Sequence, residues 1–314
     1  MTLDEMQQAV CELRSLRSLT EYYDLTHKYL TYLAREKPTQ IVSPTDPNYR
    51  FFQYGEPFGH KITRPLNFNL YECQARGFKS RFDRFADLLT ALRKRKRPLN
   101  MDTRPGDFVS SGGVNSVIYT IQQSIGAIAD SLHDSNQARK RVGQLFEALV
   151  KLILKEVGVE CESRTVRLPI PGNPGRTMSY DLDLVFSRDK AIVTAESPYL
   201  QPSEIVGSVK TTSKDRIDKI FLDKFLLTKL LGREVPVVAI FLHDVQRARK
   251  AGSNFGIAST FKSNHFLGYT IALNKLDGVY YVDPRPDMVS NDLLKSQIDS
   301  FSSFLVRDLW TLTR

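Results

Sequence analysis

Ile205-Val206-Gly207-Ser208-Val209-Lys210, continued by Thr211-Thr212-Ser213-Lys214-Asp215-Arg216, is a short apolar run that ends in a lysine and leads into a charged helix start. The run reads as a strand from Ile205 to Thr211, and helical spacing follows from Asp215 to Leu231. Upstream, Tyr180-Asp181-Leu182-Asp183-Leu184-Val185-Phe186 lies within a second strand, Met178 to Phe186. Arg164 to Ile170 precedes it as another strand, and the Pro-Gly-rich Pro171 to Gly175 between them reads as a turn. Ala191 to Ala195 is a further strand, and Val237 to Leu242 is a buried one after the helix. Before them all, Gln137 to Glu156 is an amphipathic helix with Val142, Leu145, Phe146, Leu149, Leu152 and Ile153 on its apolar side. Helix, strands, helix, strand is an α/β order.

The flanks are read in the same way. Gly268 to Leu273 and Val279 to Val282 surround Asp277-Gly278, a turn that predicts a hairpin. The tail, Leu293 to Leu312, reads as helical. At the other end, Thr2 and Glu5 form a capping-box pattern before two helices that reach Leu33. Lys37 to Leu70 is dense in proline, which forbids a helix, and reads as a loop carrying Tyr49, Phe51, Phe52, Tyr54 and Phe58. A helix from Ala75 ends in Arg93-Lys94-Arg95-Lys96-Arg97 before Pro98, and another spans Val114 to Leu132. The expected division is a mainly helical region, 1–135, serving DNA contacts or dimerisation, and a core, 136–314.

Composition bounds the function. The chain has 314 residues, 41% hydrophobic and 25% charged, as in a soluble globular protein. No stretch approaches the roughly 18 apolar residues of a membrane span. The first ten residues contain acidic groups and no apolar segment of the kind a secretory signal needs, so a cytoplasmic location is expected. Cys11, Cys73 and Cys161 are far apart and match no zinc spacing. A net charge of +9 points to a polyanionic partner such as nucleic acid.

Three features in order carry chemistry: Glu147 on the amphipathic helix, Asp181 and Asp183 on the acidic strand, and Ser208 with Lys210. Hydrolysis of a phosphodiester needs a cation at the phosphorus oxygens and a water made nucleophilic near neutral pH. Magnesium takes one or two carboxylates plus waters and the substrate phosphate. A neighbouring lysine can hold the water and offset phosphate charge. Asp181 and Asp183, two apart, are expected on one strand face, as are Ser208 and Lys210. Each motif alone is commonplace: D-x-D on a strand is usually surface polarity, and a helical glutamate usually faces solvent. The ordered combination on a basic chain is what raises them.

Ser208-Val209-Lys210 with Lys214-Asp215-Arg216 resembles the active-site and recognition segment of the CCGG-family restriction endonucleases, of the EcoRII, PspGI and NgoMIV kind. These are PD-(D/E)xK nucleases in which S/T-x-K replaces D/E-x-K. The missing carboxylate comes from the following helix about 13 positions after the lysine, which here is Asp223 where the family usually has glutamate. The family's recognition triplet lies four to six residues past the lysine, at Lys214, Asp215 and Arg216. Arginine or lysine donates to guanine O6 and N7, and a carboxylate accepts from cytosine N4. Lysine at 214 departs from the family's arginine and loses its bidentate fork. The resemblance spans about residues 137–242.

It implies a PD-(D/E)xK core with a mixed five-stranded sheet flanked by helices, acting as a type II enzyme. Magnesium would be held by Asp183 and Asp223, with Asp181 the alternative to Asp183. Lys210 would position the attacking water, and Glu147 would act behind these ligands or at a second metal. A homodimer would make double-strand cuts in a short palindrome, with a CC/GG core, in a bacterial cytoplasm. Two alternatives stay open: a sequence-nonspecific or structure-specific nuclease of the same superfamily, and a non-catalytic DNA-binding protein. The basic run 93–97 suits phosphate contact and a solvated helix end equally. The aromatics of 49–58 suit base stacking, or pinning of their loop to the core. His243 is expected to be structural.

Overall fold

The computed structural model describes residues 2–12, 16–173, 175–189 and 199–314. The chain forms two compact units and visits them alternately. Met1–Leu88, Asn100–Leu152 and Asp244–Thr260 make the first; Leu89–Leu99, Ile153–His243 and Phe261–Arg314 make the second. No helix among the described residues is long and apolar enough to cross a membrane.

In the first unit, helices α1 (Leu3–Cys11) and α2 (Leu19–Glu36) each start with a complete capping box, Thr2 with Glu5 and Ser18 with Glu21. α3 (Ala75–Arg95) and α6 (Ser135–Glu156) both begin in this unit and end in the other. A short α4 (Arg104–Ser110), with Thr103 as its cap, was not expected; Pro105 in its first turn is a start signal. α5 (Gly113–Asp130) is buried on all sides from Gly113 to Ala129, not on one side only. Several of its polar residues are paired: Ser116 Oγ donates to Leu70 O at 2.7 Å, Gln122 Nε2 to Val142 O at 2.8 Å, and Ser124 meets the Tyr71 hydroxyl at 3.0 Å, whereas the Gln123 side-chain amide has no hydrogen-bond partner among the described residues.

The stretch from Lys37 to Leu70 is not a loop. It holds a three-stranded antiparallel sheet in the order β1 (Thr39–Val42), β2 (Tyr49–Gln53), β3 (Leu66–Asn67). Its prolines lie outside these strands, so they excluded helix without excluding sheet. Tyr49, Phe51, Phe52 and Tyr54 are 0–7% exposed, which removes them as base-stacking groups.

The second unit is built on a mixed six-stranded sheet in the order β11-β10-β7-β6-β5-β4. These are β4 (Glu160–Pro169), β5 (Thr177–Ser187), β6 (Ile205–Lys210), β7 (Val237–His243), β10 (Gly278–Asp283) and β11 (Ile298–Ser300). Between β7 and β10 the chain makes a hairpin, β8 (Val245–Lys250) and β9 (Ser253–Ser259), within the first unit. β4, β5 and β6 pair antiparallel, whereas β6, β7, β10 and β11 pair parallel. The α/β expectation, with helices flanking a mixed sheet, agrees with this. The sixth strand is β11, three residues inside what was read as an unbroken helical tail. The predicted strand Ala191 to Ala195 lies outside the described residues.

Two helices cover one sheet face: α7 (Ile217–Leu231) and α8 (Ser263–Ala272) contribute Ile217, Ile220, Phe221, Leu227 and Phe266 to a core with Val185, Val206, Val237 and Tyr281. On the other face, Phe304 of the C-terminal segment packs edge-on against Phe186 and tilted against Tyr280. α8 replaces the strand expected over Gly268 to Leu273, and Asp277-Gly278 turns no hairpin. The Asp277 carboxylate accepts from Val237 N and Lys224 Nζ, both at 2.7 Å. Those bonds fix the start of β10 beside β7 in parallel, where a turn residue would have folded it back.

Candidate active site

The second unit brings Asp183, Ser208 and Lys210 together. Ser208 and Lys210 alternate with the buried Val209 on β6, so both face the α7 side of the sheet. Lys210 Nζ lies 2.6 Å from Asp183 Oδ2. The same oxygen accepts from Ser208 Oγ at 3.1 Å and from the Val209 amide at 3.2 Å. Asp183 Oδ1 has no partner among the described residues. The two charged side chains are 29% and 21% exposed, open enough for substrate and sheltered enough for their attraction to exceed that of a solvated pair.

Asp183 reaches this position through a β-bulge. On β4 and β5, Glu162 pairs with Val185 but Arg164 pairs with Leu182, so β5 carries one extra residue at this point. Ser163 Oγ donates to the Asp183 carbonyl at 3.0 Å and supports the bulge. Leu182 and Val185, three apart, consequently enter the same core, which an unbroken pleat forbids. The expectation that Asp181 and Asp183 share a face fails for this reason. Asp181 lies at the cleft margin, and its carboxylate accepts from Thr165 Oγ1 at 2.7 Å on the neighbouring strand. Gly207 completes the arrangement: a Cβ there would stand 2.8 Å from Leu184 Cδ2, just past the bulge.

A cleft of about 190 Å³ opens over these groups. α7 contributes Lys219, Ile220, Asp223 and Leu227, with Arg216 at its N-cap, one helical face at spacings of three and four. Asp223 thus lines the same cleft as Asp183 and Lys210. Its charge and, more strongly, burial raise the Tyr180 phenol above its ordinary value, which sets Asp223 over β5. Its Oδ2 is held by Lys219 Nζ at 2.7 Å. Lys219 was not singled out in the sequence, although its spacing from Arg216 and Asp223 placed it on their face.

Lys214, Asp215 and Arg216 form an exposed turn between β6 and α7, at the helix N-terminus. Asp215 has φ of 55°, in the left-handed region. Ser213, buried below, accepts at its carbonyl from the Arg216 and Ile217 amides. Glu147 sits on the part of α6 that belongs to the first unit, half-buried, whereas the Asp183 cluster belongs to the second. His243 is buried at the end of β7, its amide donating to Thr211 O at 3.1 Å.

The donor set fits magnesium. No group of three or more His, Cys, Asp or Glu side chains is placed to hold a metal among the described residues. Magnesium does not need one: two carboxylates with waters and a substrate phosphate suffice. Asp183 and Asp223 each engage a cation through Oδ2 and line one cleft.

No family model matches the chain, and no curated protein matches its sequence. Among solved structures, it is similar to the type IIP restriction endonuclease Kpn2I, with a TM-score of 0.67 and 17% identity over 99% of this chain and 97% of that one. Weaker overlaps are with restriction endonuclease PspGI bound to substrate DNA (TM-score 0.39, 14% identity, 63% and 80% covered) and with metal-depleted Ecl18kI bound to uncleaved DNA (0.35, 13%, 100% and 86%). The likeness to Kpn2I shows that this chain has a restriction-endonuclease fold along its length.

Proposed function

We propose that this protein is a magnesium-dependent type II restriction endonuclease that makes double-strand cuts at a short palindrome with a CC/GG core. The observation that carries the reading is the cleft in which Lys210 meets Asp183 at 2.6 Å while Asp223 lines the opposite wall. Kpn2I, which has the same fold, supports it.

In this reading Asp183 and Asp223 hold the metal, and Asp181 does so only if the bulge is rearranged. A bound magnesium would lower the pKa of a water and neutralise charge developing on the phosphate. Ser208 and the Val209 amide orient Asp183 by their bonds to Oδ2. Lys210, beside Asp183, would hold the attacking water and offset charge on the phosphate oxygen. Glu147 is a further acidic contributor, tested by Glu147→Gln. Lys214, Asp215 and Arg216, exposed at a helix N-terminus, read the edges of C·G pairs, and the partial positive charge of α7 favours the nearby phosphates. A homodimer in a bacterial cytoplasm would match its two-fold symmetry to the palindrome and leave 5′-phosphate ends.

The test is digestion of long mixed-sequence DNA with and without magnesium, beside Lys210→Ala. Discrete bands that need magnesium and fall by about 10²-fold or more in the variant are expected. A smear would indicate a nonspecific nuclease. Salt-sensitive binding with no cleavage would remove the catalytic assignments.

A further inference from the structure

From Val245 to Leu276 the chain contains no acidic residue, while Arg247, Arg249, Lys250, Lys262 and Lys275 are basic. The first three of these cations lie on one hairpin. β8 and β9 pair from Val245 with Ser259 to Lys250 with Ser253, and Ala251 and Gly252, both at positive φ, turn the tip. The base of the hairpin is anchored in the first unit. Val245 and Ile257 pack on Tyr49 and Phe51, and the Ile257 amide donates to Thr45 Oγ1 at 3.0 Å. The tip is polar and exposed: Arg247, Arg249, Lys250 and Asn254 face solvent. None of the three cations has an ion-pair partner among the described residues.

Arg247, Arg249 and Asn254 line a single concavity of about 390 Å³ whose apolar walls are Ile62 and Phe255. Arg247 and Arg249 are two residues apart on one face of β8, so they stand about 7 Å apart along the strand. Projected on a duplex axis, one strand carries a phosphate about every 3.4 Å, so this spacing spans about two axial steps. The shape is maintained at a bulge in β9, where Gly256 is required: a Cβ there would meet Lys250 Cβ at 2.8 Å and Ala248 O at 2.9 Å. Arg247, Arg249 and the amide donor Asn254 around one concavity, with Lys250 on the other face at the tip, are suited to phosphates passing over the hairpin end.

We propose that the β8–β9 hairpin is a second DNA-contact element, clamping the sugar-phosphate backbone through Arg247, Arg249 and Lys250 without reading bases. The proposal rests on the DNA-binding reading above, and it gives a role in binding to a segment no sequence motif marked. Contacts of this kind strengthen binding to every sequence alike and steepen its salt dependence.

The experiment is fluorescence anisotropy of a labelled duplex of unrelated sequence, without divalent cation, across about 50 to 200 mM salt. The full-length wild type, the Arg247→Ala/Arg249→Ala/Lys250→Ala variant and the charge-keeping Arg247→Lys/Arg249→Lys variant are compared. Because Arg247 shares a face with buried residues, Arg249→Ala/Lys250→Ala serves as a second variant confined to the tip, and thermal melting checks folding. Loss of about 0.9 in the slope of log K against log salt per cation removed, or 2–3 for the triple variant, is expected. The lysine variant should retain the wild-type slope. A wild type that binds with a steep slope and a folded triple or tip variant that keeps that slope would overturn the hairpin's role alone. A wild type that binds no duplex at any salt would overturn the DNA-binding reading and the hairpin's role with it.

Discussion

Replacing Glu204 should destabilise the protein far more than replacing both members of the pair it belongs to. Arg164 on β4 and Glu204 at the start of β6 meet across β5, with both side chains fully buried. Arg164 Nη1 donates to Glu204 Oε2 at 2.8 Å and to Tyr199 O at 2.9 Å, and the Gln201 amide donates to the same carboxylate at 2.7 Å. Nη2 lies 2.8 Å from Oε1 but outside hydrogen-bond geometry, and Nε has no hydrogen-bond partner among the described residues. The guanidinium is therefore already incompletely satisfied, and the carboxylate is its principal compensation. Glu204→Ala strands that charge, for a loss of about 3–5 kcal/mol, a large share of a typical total of about 5–15 kcal/mol. The double variant Arg164→Met/Glu204→Leu removes both charges and fills the space, so it should lie within about 1 kcal/mol of wild type or above it. Urea unfolding followed by circular dichroism measures Glu204→Ala and the double variant, and the singles Arg164→Met and Glu204→Leu close the cycle. Single costs that add in the double variant, or a Glu204→Ala loss below about 1 kcal/mol, would refute the claim that the pair is a coupled buried unit.

Three other outcomes follow from the same geometry. Asp183→Asn should lower cleavage at least about 10²-fold, whereas Asp181→Asn, which disturbs only the bond to Thr165, should stay within a few-fold; equal losses in a cleavage time course would contradict the bulge. Gly207→Ala should cost about 1–3 kcal/mol through overpacking against Leu184, read as a lowered melting temperature, and an unchanged melt would show that the strands tolerate the methyl. Tyr54→Phe removes a hydroxyl that bonds Tyr29 at 2.7 Å and Ala127 O at 2.8 Å, so a loss of about 1–3 kcal/mol is expected in chemical unfolding, since the buried partners lose their bond.

Much of the second unit was legible because its strands are buried on both faces or ordered by turns. β6, β7 and α7 were placed within a residue or two by apolar runs and helical spacing, and Ser208 and Lys210 entered the reading on that basis, whereas Asp223 entered only through the family resemblance. The bulge was not legible: Tyr180 to Phe186 alternates plausibly with or without an extra residue, and only pairing with β4 decides which carboxylate turns inward. Gly268 to Leu273 carries strand-like residues but lies in α8, and the hairpin expected after it is absent because Asp277 is committed to Val237 and Lys224. The hairpin at 245–259 was missed because Gln246 to Lys250 is polar and charged, and its strand character comes from pairing. Prolines between 37 and 70 masked a sheet whose strands are only two to five residues long. The interleaving of the two units rests on contacts between segments far apart in sequence, which no local pattern records.

That interleaving has a consequence for synthesis. A chain leaves the ribosome N-terminus first, and synthesis reaches Val237, the last residue of the cleft, before β10, β11 and the C-terminal segment are made. At that stage the first unit lacks Asp244–Thr260, and the sheet lacks β10, β11 and the segment that brings Phe304 onto Phe186. Every side chain of the cleft already exists, yet the strand that flanks β7 and the aromatic cover beneath β5 do not. Interrupted translation would then release fragments that carry every cleft residue on an unfinished sheet.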